Sequence, residues 1–254
     1  MLHDMHIHTK YSCDSKAELS DYCTAALERG VSTLCFTDHL DCNPCDDGYG
    51  YYDTEGFFAD FYAAKEQYGK QLTLLCAVEF AEPQLYPAEL ARFCARGYDF
   101  ILGSVHFWYK DMFPSVMLRE GISLEVCYRC YWQVLLDAVR AGGFDALAHF
   151  DFPKRYYGDC IDPDGLLPEI VQTLVKNNIC PEINTSSLRK GCAETLPGAE
   201  LLALYRECGG RDVTIGSDAH TPQDLAADNA AAQTLIQRFG FQEVIFRGRE
   251  RVAV

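Results

Sequence analysis

The chain is short of basic residues and contains no long apolar run. Its 254 residues include 22 Lys and Arg against 37 Asp and Glu, a formal net charge of −15. A surface this acidic repels phosphate backbones, so a nucleic acid is not expected as a main partner. No stretch approaches the ~20 apolar residues of a membrane helix, and polar residues near the N-terminus replace the apolar core of a signal peptide. We therefore expect a cytoplasmic protein with no membrane partner.

The sequence also lacks the cysteine spacing of a zinc ribbon. It has 13 cysteines, and two pairs, Cys42 with Cys45 and Cys127 with Cys130, have the C-x-x-C spacing. These pairs lie far apart in the chain, so they do not form one ribbon pattern. The second pair sits in a helical apolar pattern that is typical of core packing. Free thiols are the expected state of cysteines in a cytoplasmic protein.

No low-complexity segment and no linker interrupts the chain, so we predict a single domain over residues 1–254. Short β-branched apolar runs alternate with helical stretches, a pattern typical of βα units and a parallel sheet. Seven or eight such units favour a closed α/β barrel, with an open doubly wound sheet as the alternative. The predicted strands lie near 2–8, 31–38, 72–79, 99–105, 144–149, 179–184, 212–217 and 243–247.

Helical stretches fall between these strands. Ser15, Thr54 and Ser123 are candidate N-caps, and Gly30 and Gly142 are candidate helix ends. The predicted helices lie near 16–29, 54–69, 87–96, 123–141, 165–178, 198–208 and 221–239.

Side chains of the metal-ligand type stand at the ends of the predicted strands. In a barrel of parallel strands all the C-terminal ends open on one mouth, and residues two apart on a strand point to the same side. His6 and His8 could therefore bind one ion together, and Glu79 could bridge two ions. Imidazoles and carboxylates without thiolates suit Zn, Mn or Fe. The candidates from this pattern are His6, His8, Asp38, His39, Glu79, His106, His149, Asp218 and His220.

Each of these residues also has a simpler structural interpretation. An isolated histidine at a strand end is more often a hydrogen-bonding residue than a ligand, and Asp38 or Asp218 could cap a following helix. Six of the seven histidines nevertheless stand at the same end of successive strands. That arrangement favours a multinuclear metal site.

Seven short segments follow one another in a distinctive order. They are HIH at 6–8, SCD at 12–14, FTDH at 36–39, AVEF at 77–80, GSVHF at 103–107, AHFD at 148–151 and GSDAH at 216–220. Together they resemble the motifs of the polymerase and histidinol phosphatase (PHP) superfamily. The resemblance implies a distorted (β/α)7 TIM-like barrel with its metal site at the C-terminal ends of the strands.

The resemblance also implies which residues bind metal. It implies two or three divalent ions, Zn, Mn or Fe, and a metal-bridging hydroxide held by Glu79, Asp218 and the histidine ligands. Some members of the superfamily have histidine where this chain has Asp14. The implied ligand sets are His6, His8, Glu79 and Asp218 for one ion, Glu79, His106 and His149 for a second, and Asp14, His39 and His220 for a third.

Two further segments, FDFPKRYYG at 150–158 and EINTSSLRKG at 182–191, resemble stand-alone histidinol-phosphate phosphatases. Each carries an arginine just past a strand end, Arg155 and Arg189, and a guanidinium is well suited to phosphate oxygens. The resemblance implies a metal-dependent phosphomonoesterase that converts L-histidinol phosphate to L-histidinol and phosphate in histidine biosynthesis. The alternative is a PHP-type phosphoesterase for another small phosphorylated metabolite, such as a nucleotide or sugar phosphate.

Two other classes of function are compatible with parts of the pattern. Amidohydrolase-like barrels, which cut C–N bonds, also open with H-x-H, but they commonly use a bridging lysine on the fourth strand. No lysine lies in 99–106 of this chain. A silent PHP module that only binds a partner usually lacks several ligands, whereas this chain has a candidate at all nine positions. No pattern in the sequence indicates an oligomeric state.

Overall fold

A computed structural model describes all 254 residues and contains one nine-stranded sheet. The strands follow one another in chain order, and each pairs with the next; the first eight run parallel and the last is antiparallel to the eighth. Their bounds are β1 Leu2–Ile7, β2 Val31–Leu40, β3 Thr73–Ala81, β4 Phe100–Ser104, β5 Ala146–Leu147, β6 Cys180–Asn184, β7 Asp212–Gly216, β8 Gln242–Arg247 and β9 Glu250–Ala253. The eight predicted strands are confirmed, and β9 was not predicted.

The sheet curves until the end of β7 meets β1. A parallel bridge joins Ile7 to Ala219, and the Asp218 amide donates to the His6 carbonyl over 2.8 Å. The buried Asp4 carboxylate ties the same two segments together, because it accepts from the Ser217 amide at 2.9 Å. This contact is a single bridge and not a continuous ladder, so the barrel is distorted, as the resemblance implied.

Helices cover the outside of the barrel, which is why its strands are apolar on both faces. Their bounds are α1 Leu19–Arg29, α2 Thr54–Tyr68, α3 Pro87–Cys94, α4 Pro114–Arg119, α5 Leu124–Ala141, α6 Lys154–Tyr157, α7 Leu167–Lys176, α8 Ser186–Arg189, α9 Ala199–Glu207 and α10 Asn229–Phe239, with a 3-10 turn at Pro222–Asp224. None of these helices combines the length and the apolar character needed to span a bilayer.

Three details of the helix predictions are wrong. Helix α1 begins after Glu18 and not after Ser15, whose hydroxyl instead donates to the His220 carbonyl at 2.9 Å. Asp53, and not Thr54, caps α2. The helix predicted over 221–239 is broken before α10, because the Ala226 amide leaves the helical pattern to donate to Asp4. Ser123 does cap α5, as predicted.

Strand β8 of the C-terminal hairpin packs against the inner residues of the barrel strands. Val244, Ile245 and Phe246 are almost fully buried, and the Phe246 ring stacks on Phe100 with 4.9 Å between the ring centroids. Each such side chain contributes roughly 1.5–3 kcal/mol when it is fully buried. The strands contribute the residues packed around them: Met5, Cys35, Leu75, Ala77, Phe100, Leu102, Ala146, Ala148 and Cys180. The polar mouth therefore rests on a solid apolar core.

Candidate metal centre

The structure brings all nine predicted ligands together at the C-terminal ends of the strands. Glu79, at the end of β3, lies at the centre and is almost fully buried. Its Oε2 is 3.1 Å from His6 Nε2 and 3.3 Å from His39 Nδ1. Its Oε1 is 2.9 Å from His149 Nε2 and 3.3 Å from His106 Nε2. A single carboxylate therefore faces imidazoles from four separate strands, as a bridging ligand would.

On one side of Glu79, the β1 histidines face the carboxylate that follows β7. His6 Nε2 and His8 Nε2 are 2.9 Å apart, and Asp218 Oδ1 is 3.5 Å from His8 Nε2. His6 on β1 and His8, one residue past its end, keep the i and i+2 spacing of an extended strand, which puts both rings on the same face, as predicted. The ligand-type atoms of these three residues all lie within 4.8 Å of one another.

A second group lies closer to solvent. Asp14 Oδ2 is 2.9 Å from His220 Nε2 and 3.7 Å from His39 Nε2. The His8 ring stacks on His220, with 4.1 Å between the centroids and 18° between the planes. The Asp14 side chain is half-exposed, so this is the most open part of the cluster.

Two residues of the cluster adopt a backbone conformation that side chains other than glycine rarely take. His149 has φ 29° and Asp218 has φ 54°. Such strain persists only where the surrounding contacts fix it, and it is concentrated at functional sites. The contact at His149 is with Glu182, whose Oε2 accepts from the His149 amide at 3.0 Å.

The inner histidines are oriented by residues that the motifs did not assign. His6 Nδ1 is 2.6 Å from Glu182 Oε1, and His8 Nδ1 is 3.0 Å from the Ser12 hydroxyl. The Ser12 hydroxyl in turn donates to Asp38 at 2.9 Å. If Nδ1 carries the proton toward Glu182, the His6 Nε2 lone pair faces the cluster, as ligation requires. Asp38 is therefore part of this network and does not cap a helix.

The two central carboxylates are held ionised by their neighbours. Burial by itself would raise the pKa of Glu79, but the imidazole of His6 and other nearby rings hold it well below its usual value. Burial would likewise raise the pKa of Asp218, yet His6, His8 and Arg155 hold it well below its usual value. Both groups are thus available as anionic ligands at neutral pH.

The pKa values of the imidazoles shift in both directions, downward through burial and upward through nearby carboxylates. Burial lowers the pKa of His8 well below its usual value, with His220 adding to the effect, and burial also lowers the pKa of His149. Burial would lower the pKa of His39 too, but Glu79 outweighs it and raises that pKa to about 10. The carboxylates thus draw positive charge into the cluster, and divalent cations would supply that charge while leaving the rings neutral. The donor set fits the predicted metals.

A cavity of about 580 Å³ opens above the cluster. Arg155 lines it: Nη2 donates to Asp218 Oδ2 at 3.0 Å and to the Ser186 hydroxyl at 2.6 Å. The guanidinium carbon lies 5.0 Å from the centroid of the Phe152 ring. The Arg155 Nε is buried and has no hydrogen-bond partner. One guanidinium therefore lies in the cavity beside the predicted metal ligands.

Arg189 does not lie in the cavity, where the prediction of phosphate binding would place it. Its Nη2 donates to the Ser217 carbonyl at 2.6 Å, and its Nε is 3.5 Å from Asp224 Oδ1. It does not line the cavity, whereas the next residue, Lys190, does. Consecutive residues on a helical turn such as α8 point in different directions, so only one of the two can face the mouth. The structure therefore gives no support to the predicted contact between Arg189 and phosphate.

We expect the change Glu182→Gln to weaken metal binding about 10–100-fold while leaving the fold intact, because it removes the charged partner that orients His6. The dissociation constant of Zn²⁺ measured by competition with a chelator checks this. Glu243→Gln is a matched control, because Glu243 Oε1 also lies 2.9 Å from a histidine, His3, outside the cluster. Equal Zn²⁺ affinity in the Glu182 and Glu243 variants would contradict the orienting role.

The model of the PHP domain family matches residues 4–186. The match therefore covers most of the chain and ends before the segment that carries Asp218 and His220. The positions of those two residues beside the matched motifs come from the closure of the barrel between β7 and β1.

Similar proteins are found over nearly the whole chain. A "Probable histidinol-phosphatase" of Deinococcus radiodurans is 29% identical over 97% of this chain and 97% of its own length. Another protein of that name, from Thermotoga maritima, is 27% identical over 99% of this chain and 98% of its own. Among solved structures, a histidinol phosphate phosphatase from Lactococcus lactis, complexed with zinc, L-histidinol and phosphate, superposes with a TM-score of 0.83 at 23% identity, and the similarity covers 99% of this chain and 98% of that one. At this identity the likeness shows a shared fold.

Proposed function

The chain belongs to the PHP domain family, and on that premise we propose that it is a metal-dependent phosphomonoesterase that hydrolyses L-histidinol phosphate to L-histidinol and phosphate. The observation that carries the proposal is the position of Arg155, which lies in the cavity and contacts Asp218 within the cluster of nine predicted ligands. A cation next to a cluster of metal-binding side chains suits a phosphate group, whose oxygens can contact both. The names of the full-length relatives support the choice of substrate.

The nine clustered side chains would hold two or three divalent ions, Zn, Mn or Fe. When bound, these ions would polarise the phosphoryl oxygens and supply a water of lowered pKa. Glu79 would bridge, because its two oxygens face different sets of imidazoles. Glu182 and Ser12 keep the β1 rings in place through their Nδ1 atoms.

The cationic side of the cavity acts on the phosphate directly. Arg155 has one nitrogen, Nη2, committed to Asp218 and Ser186, and these contacts fix the guanidinium in the cavity. Donors fixed in this way stabilise the charge on the equatorial oxygens during transfer without reorganising. Lys190, which also lines the cavity, would add a second positive charge. The pair of cations favours phosphate esters over the neutral amides that a C–N hydrolase would bind.

The alternative within the same chemistry is another small phosphorylated metabolite, such as a nucleotide or sugar phosphate. A cavity of about 580 Å³ can hold a substrate of this size. The difference between these substrates and histidinol phosphate lies in the leaving group, so kinetic preference distinguishes them.

We expect phosphate release to cease after dialysis against a chelator and to return on addition of Zn²⁺, Mn²⁺ or Fe²⁺. The same assay with histidinol phosphate, p-nitrophenyl phosphate, a nucleotide and a sugar phosphate should rank histidinol phosphate first by kcat/KM. Full activity in protein verified to be free of metal would refute the metal-dependent mechanism. A histidinol phosphate kcat/KM no higher than that of p-nitrophenyl phosphate would refute the substrate assignment.

A further inference from the structure

One wall of the cavity carries negative charge that the proposed reaction does not use. Asp41, at the position after β2, lines the cavity together with three further acidic residues from the loops after β2 and β4. These residues are Asp46, Asp47 and Asp111. Phosphate would be repelled by such a wall, so its role must concern another part of the substrate.

Asp41 is the unusual member of this group. The residue is only 7% exposed, and its Oδ1 is buried with no hydrogen-bond partner. No lysine, arginine or histidine nitrogen lies within 4.0 Å of its carboxylate, and the same holds for the other three acids of the wall. A buried carboxylate without a partner is costly unless a ligand provides the missing donor and charge.

The acidic residues and the cations of the cavity contact different members of the histidine cluster and its carboxylates. Asp41 and Asp46 lie by His106, with their ligand-type atoms within 4.8 Å of its ring nitrogen. Arg155 lies by Asp218, on the side of the ring of Phe152. The cavity is therefore lined by groups of both charges, with carboxylates beside His106 and a guanidinium beside Asp218.

Building on the proposed function, we propose that Asp41, assisted by Asp46, forms a subsite for a cationic nitrogen on the leaving group of the substrate. A phosphorylated amino alcohol carries its phosphate and its ammonium a few bonds apart, which matches a cavity with charges of both signs. Histidinol phosphate has two such groups, the ammonium and the imidazole ring in its protonated form. Both present N–H donors to a carboxylate, and the subsite selects esters whose leaving group carries this charge over esters whose leaving group is uncharged.

The test compares discrimination between substrates in the metal-loaded protein. For wild type, Asp41→Asn and Asp46→Asn, the ratio of kcat/KM for histidinol phosphate to kcat/KM for p-nitrophenyl phosphate is measured. We expect this ratio to fall about tenfold or more in Asp41→Asn, mainly through KM, and by less in the more exposed Asp46→Asn. Asp137→Asn, which removes a charge on the outer surface of α5, controls for net charge and should leave the ratio unchanged.

Two substrate analogues identify which nitrogen-bearing group of histidinol phosphate the subsite recognises. O-phosphoethanolamine keeps the ammonium without the ring, and 3-(imidazol-4-yl)propyl phosphate keeps the ring without the ammonium. The analogue whose advantage over p-nitrophenyl phosphate is lost in Asp41→Asn is the one that the subsite recognises.

Other outcomes would overturn the subsite. An unchanged ratio of kcat/KM values in Asp41→Asn would do so. An equal loss of kcat/KM on every ester, accompanied by loss of metal, would also do so, because it would show that Asp41 only positions His106. If the wild type hydrolyses none of the esters, the proposed function fails on its own, and calorimetry of L-histidinol binding still tests the subsite. A Kd that is the same for wild type and Asp41→Asn would then reject it.

Discussion

The change Glu79→Gln should lower kcat at least about 10³-fold and reduce the metal content of the purified protein. Glu79 is the only residue whose two carboxylate oxygens lie close to histidines from the ends of four strands, β1, β2, β4 and β5. An amide carries no charge and would turn an NH2 group toward imidazole nitrogens whose lone pairs are needed for ions. Loss of a bridging carboxylate therefore affects more than one ion at once.

This prediction is checked by steady-state kinetics with added Zn²⁺ and by elemental analysis of the same sample. The matched control is Glu169→Gln, which removes an exposed glutamate that pairs with Arg140 on the outer helices. The control should behave as wild type in both measurements. Retention of full metal content and of kcat within about tenfold in Glu79→Gln would contradict the central position assigned to this residue.

The change Arg155→Met should lower kcat/KM for phosphate esters by about 10²–10³-fold, because it removes a charged donor from the site of the phosphoryl oxygens. Arg155→Lys should be intermediate, since an ammonium keeps the charge but cannot bridge Asp218, Ser186 and phosphate with one planar group. The measurement is kcat/KM with metal content determined in parallel, because Arg155 also contacts Asp218.

Arg189→Met is the informative comparison for this second prediction. Its guanidinium is committed to the Ser217 carbonyl and lies near Asp224 and Asp228, so we expect kcat/KM to change by only a few-fold. A loss in Arg189→Met as large as that in Arg155→Met would show that Arg189 turns into the cavity when substrate binds. That result would restore the interpretation made from the sequence.

The candidate ligands could be found from the sequence because parallel strands place all their C-terminal ends at one mouth. The prediction that His39, Glu79 and His149 lie close together required no knowledge of tertiary contacts, because each of them stands at the end of a parallel strand. The partner of His6 could not be found in this way. Glu182 lies 176 positions further along the chain, and its approach to His6 depends on how the barrel closes and not on any local pattern.

The direction of Arg189 and the break before α10 were missed for a related reason. Both depend on single contacts with the β7 and β1 segments, at the Ser217 carbonyl and the Asp4 carboxylate. A periodic pattern predicts where a helix lies but carries no information about a buried acceptor elsewhere in the chain. β9 was missed because its short polar pattern, with three exposed positions of four, does not resemble a buried strand.

The packing of β8 against the inner residues of the barrel has a consequence for how the protein is made. Phe246 is synthesised after every strand that carries a predicted ligand. The contacts of Asp4 are completed only when Ser217, 213 positions later in the chain, has also been synthesised. Until those residues emerge, Phe100 and its neighbours face water in an unfilled shell. Synthesis of β8 therefore completes the core only after all the predicted ligands are already present in the chain, so the mouth takes its final form late.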